Sequence, residues 1–82
     1  ASLIPKRSLA RENFQQGCQL LWNYKSHEAA AKFNEAITAE LGGPYAGLSR
    51  GMMLYKKKDY DNALTEFVSV GSDFPWVAET YI

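Results

Sequence analysis

The sequence predicts an all-α protein, and three observations carry that prediction. Gly17, Leu20, Ala29 and Phe33 return 34 residues later as Gly51, Leu54, Ala63 and Phe67. Apolar residues follow the i, i+3, i+4, i+7 rule of a helix that buries one face. No stretch alternates as a strand does, and the connections between periodic segments are short.

Each element follows from local chemistry. Residues 1–9 are read as a lead-in, with Leu3 and Ile4 available for packing. Ser8 is the expected N-cap of a first helix over about residues 9–24. Its stripe is Phe14, Gly17, Cys18 and Leu21, widened by Leu20 and Tyr24. Ser26 caps a second helix over residues 27–39, where Glu28 in the first turn complements the helix dipole. The inner face there is Ala29, Ala30, Phe33, Ala36 and Ile37.

Gly42 suits a left-handed helix stop, and Pro44 suits the first turn of a third helix over residues 44–57. Leu48, Gly51, Met52 and Tyr55 repeat the first stripe, flanked by Leu54. Asp59 caps a fourth helix over residues 60–72, with Ala63, Leu64, Phe67 and Val70 facing inward. After Pro75, residues 76–82 open a fifth helix, whose Trp76, Val77, Tyr81 and Ile82 cover the end of the second repeat.

Composition narrows the class. With 46% hydrophobic and 22% charged residues in 82, the chain is expected to fold as one small domain. Nine basic residues balance nine acidic ones, and neither half carries the basic field that nucleic-acid binding requires. Apolar runs are too short to span a bilayer, and no signal peptide is evident, so no membrane insertion is expected. The lone Cys18 excludes an internal disulfide and favours a reducing, cytoplasmic setting. The chain starts without Met and stops within an apolar stretch, as a piece of a longer protein is expected to.

A Gly on one helix, an Ala and an aromatic four residues apart on the next, and a closing Pro75 resemble the tetratricopeptide repeat. The resemblance covers nearly the whole chain, as repeats 10–43 and 44–77 followed by residues 78–82 of a truncated fifth helix. It implies antiparallel helix-turn-helix units stacked into a short right-handed superhelix. The chain departs from the family where a large aromatic and a Leu are usual in each first helix. Those places hold Asn13 and Gln16, then Gly47 and Arg50, and Phe14 and Leu48 one residue later take over part of the packing.

Catalytic motifs are absent: there is one His, one Cys, no H-E-x-x-H, no G-x-S-x-G and no phosphate loop. The expectation is a non-enzyme without metal, cofactor or small-molecule ligand. His27 is read as exposed and structural, and Cys18 as a small packed hydrophobe. Lys56, Lys57 and Lys58 close the third helix in accord with its dipole, with phosphate or acidic-peptide binding as the alternative reading. Trp22 and Trp76 have two readings, packed against a neighbour or standing at a binding edge.

In the resembled family, ligands touch the concave face of the first helix in each pair. Carried over, this implies contacts from Arg11, Phe14, Cys18, Leu21 and Trp22, then Tyr45, Leu48, Met52, Tyr55 and Lys56. The Lys and Asn clamp that grips acidic chaperone tails is missing, since the matching positions hold Phe14, Cys18, Ser49 and Glu79. The expected function is a protein-interaction module holding a partner's peptide or helix in an apolar groove. One alternative is a scaffold that packs against further repeats or a second copy. Another is a regulatory arm of an enzyme.

Overall fold

In a computed structural model, residues 5–77 are described, and they form helices without strands. The order is α1 (Lys6–Trp22), α2 (Ser26–Ala39), α3 (Pro44–Lys56) and α4 (Tyr60–Asp73), with a further helical turn at residues 75–77. The expected cover from Tyr81 and Ile82, the packing of Leu3 and Ile4, and the clamp position at Glu79 lie outside the described residues.

Start signals differ from expectation in detail. Helix α1 begins at Lys6, so Ser8 lies inside its first turn. Pro5 is the N-cap, with φ −59°, and its carbonyl accepts from Leu9 N–H at 3.1 Å. A proline with φ already set opens the helix without any side-chain cap. Helix α2 includes Ser26, and its N-cap is Lys25. Asp59 does stand at the N-cap of α4, yet its carboxylate accepts from Asn62 Nδ2 at 2.8 Å and caps no backbone N–H.

Helix α1 packs on α2, α3 on α4, and α2 on α3, with a further contact between α1 and α3. The two tight turns share their closing bonds. Lys25 N–H donates to Leu20 O and Tyr24 N–H to Leu21 O; 34 residues on, Asp59 N–H donates to Leu54 O and Lys58 N–H to Tyr55 O. This is the Schellman pattern, which places one left-handed residue after the helix. Tyr24 (φ 62°) and Lys58 (φ 66°) occupy those positions. Gly42, expected to be left-handed, is not, because α2 stops instead on extended Glu40 with φ −150°.

The two glycines of the first helices work as contact points. A Cβ on Gly17 would stand 2.6 Å from Cε1 of Phe33, and one on Gly51 would overlap the ring of Phe67. Phe33 is fully buried, together with Ala29 and Ala36. The departures at Asn13 and Gly47 are accommodated in different ways. Asn13 is buried, with Nδ2 donating to Leu9 O at 3.1 Å, and Gly47 makes room for Val70.

One inward expectation fails on α4, that of Leu64, and Phe67, though turned in against Gly51, is less enclosed than Phe33. Leu64 is 62% exposed and Phe67 only half-buried, because no described helix covers their side of α4 as α3 covers α2.

Candidate apolar groove between the first and third helices

Along the seam between α1 and α3, residue numbers rise together, so the two helices run parallel and present matched side chains. At one end Phe14 packs on Phe33 and on Tyr45, with centroids 6.0 and 5.8 Å apart. Tyr45 is only 3% exposed, so this end of the seam is filled. At the other end Cys18, Leu21, Trp22, Tyr24, Met52 and Tyr55 line a cavity of about 540 Å³.

The expected contact residues therefore divide. Cys18, Trp22, Met52 and Tyr55 come together around the cavity, joined by Leu21. Phe14 and Tyr45 belong to the core, and half-buried Leu48 packs against it. Arg11 is exposed and is not part of the lining, and Lys56 lines a smaller cavity with Lys57, Met53 and Phe33 on the α2 side of α3.

Trp22 is 86% exposed, so the reading that packs it against a neighbour does not hold among the described residues. Tyr55 meets Tyr60 edge to face at 5.3 Å, which braces its ring at the rim. Burial pushes the Cys18 thiol up to about 11, so it remains a neutral thiol near pH 7. Its contribution to the wall is polarizable, uncharged surface.

Tyr24 is the lining residue that sequence reasoning assigned to a helical stripe. Its 93% exposure and left-handed backbone place it at the mouth instead. No signal in the sequence marked it, since neither Gly nor Asn stands at the position.

Among the described residues no cluster of His, Cys, Asp or Glu is placed to hold a metal ion, and no helix is long and apolar enough to cross a membrane. No family model matches the chain, and neither the curated proteins nor the solved structures contain a significant match.

Proposed function

We propose that this chain is an interaction module of the tetratricopeptide type, whose hairpins begin a right-handed superhelix and whose α1–α3 groove holds an apolar segment of a partner protein. The observation that carries the reading is the exposure of Trp22, Tyr24 and Tyr55 around one cavity. Aromatic side chains gathered at an open pocket are the usual anchors of a protein interface. The equivalent Schellman turns and the two Gly–Phe contacts support the repeat reading.

Selection of peptides from a random display library against the chain tests the proposal. Trp22→Ala, Met52→Ala and Tyr55→Ala should each weaken the selected peptides by about 1–2 kcal/mol, with the cooperative melt retained. Peptides that bind the triple variant as well as the parent would sink the groove reading.

A second reading is favoured by a separate observation. Helix α4 exposes Leu64 and Val68 at 62% and 61%, beside a half-exposed Tyr60. An apolar outer face on the last helix of a stack invites further helices or a second copy.

A further inference from the structure

We propose that Arg7 is a latch that fixes the rotation of the second hairpin against the first, at the end of the array where α1 and α3 begin. The inference does not depend on what the groove holds.

The parts come from three places in the chain. Arg7 stands in the first turn of α1, and its Nε donates to Oε1 of Glu40 at 3.1 Å. Glu40 is the extended residue on which α2 stops, in the connection between the hairpins. The Arg7 guanidinium also lies over the rings of Phe74 and Trp76, 5.3 and 5.8 Å from their centroids. Both distances are within the reach of a cation–π contact. Phe74 ends α4 with φ −134°, the extended backbone that a residue before proline prefers. After Pro75, Trp76 meets Phe74 edge to face at 6.4 Å, and Val77 is 1% exposed. One side chain thus gathers the start of α1, the link between the hairpins and the exit from α4.

Two observations mark this as a built arrangement. Gly43 has φ −88°, a conformation open to any residue, so its missing side chain serves space. A Cβ there would overlap Oε1 of Glu40, the oxygen that accepts from Arg7. The chemistry also calls for arginine. A guanidinium is planar, so its edge bonds a carboxylate while its faces lie on aromatic rings, and an ammonium cannot do both. Among the described residues the other ion pairs, Lys32–Glu35 and Arg50–Glu66, lie within α2 and within the second hairpin. Neither ties one hairpin to the other.

The latch is releasable. Arg7 and Trp76 are each 46% exposed, and neither belongs to the buried cluster around Phe33. An exposed ion pair is weak by itself. Packed bodies joined by a short link turn about that link as units, so opening the latch frees rotation without unmaking either core. The spacing of α1 from α3 follows from the rotation that the latch selects.

NMR residual dipolar couplings, which report the orientation of each helix, test this on the whole chain. In the parent one alignment tensor is expected to fit all four helices. Arg7→Ala should need separate tensors for the α1–α2 and α3–α4 hairpins. The Val77 amide, which donates to Phe74 O at 3.0 Å, should lose at least about tenfold of its hydrogen-exchange protection. Arg7→Lys should behave like Arg7→Ala, because it keeps the charge and loses the plane. Gly43→Ala, which leaves Arg7 and both rings in the chain, should also free the hairpins.

A single tensor in Arg7→Ala overturns the latch. That holds even if Val77 loses protection, since Arg7 would then hold only the turn after α4. Parent-like orientation in Arg7→Lys overturns the stacked guanidinium as its basis, and a single tensor in Gly43→Ala overturns the part given to Glu40. Should Arg7→Ala fail to fold, Gly43→Ala decides: separate tensors uphold the latch, and a single one overturns it.

Discussion

Cys18 shows how a residue's setting decides its chemistry. A thiol raised from an ordinary 9.0 to about 11 by burial is almost wholly protonated at pH 8. Alkylation by iodoacetamide should therefore run on the order of 10- to 100-fold slower than for an exposed thiol, and recover on unfolding. A folded-state rate equal to that of a free thiol would contradict the burial. The sign for stability follows: the group's folded value lies above its unfolded one. Its contribution is complete below about pH 9 and is lost as pH rises through about 11. The raised value was not legible in the sequence, where spacing placed Cys18 on an apolar stripe but gave no depth. Tyr45 shows the same limit from the other side. Its position on the wall of α3 could be read from spacing, but its burial depends on how the hairpins rotate against each other, which brings Phe14 over it.

At the scale of the element, two glycines make a matched pair. Alanine is the better helix former by about 1 kcal/mol, so an unobstructed Gly→Ala change stabilises a helix. Gly71 in α4 has nothing within 4 Å of an added Cβ, and Gly71→Ala should gain up to about 1 kcal/mol. At Gly17 the same change meets the ring of fully buried Phe33, and crowding should outweigh propensity, for a net loss of about 1–2 kcal/mol. Chemical denaturation measures both, and a stabilising Gly17→Ala would show that the helices have room to part. The two aromatic partners separate likewise. Phe33→Ala should cost about 3–5 kcal/mol, as for a filled core site. Phe67→Ala should cost roughly half of that, since its side of α4 lacks the cover that α3 gives α2. Equal losses would mean that Phe67 is as enclosed as Phe33. The close approach of the helices at Gly17 and Gly51 was legible from the 34-residue repeat, whereas the direct contact of each glycine with a Phe ring was not. The left-handed turns were not legible either, because Tyr24 and Lys58 lack the Gly or Asn that marks such a stop.

Across the described residues, the outer faces of α1 and α4 differ. Helix α1 turns Glu12, Gln15 and Gln19 to solvent, where α3 at the 34-related positions carries buried Ala46, buried Ser49 and half-buried Met53. By contrast, Leu64 and Val68 stand exposed on α4. We expect concentration-dependent association through that face, seen by light scattering and abolished by Leu64→Lys with Val68→Lys. The melt should move little, since both side chains are already solvated. A parent chain that stays monomeric at every concentration would contradict this, and the groove would then be the sole candidate for contact. Groove and end face are on different helices, so a single map separates them. That map is the NMR shift perturbation caused by a display-selected peptide. The account predicts changes centred on Cys18, Leu21, Trp22, Tyr24, Met52 and Tyr55, with Leu64 and Val68 unmoved. Changes centred on Leu64 and Val68, with the Trp22 indole silent, would contradict it.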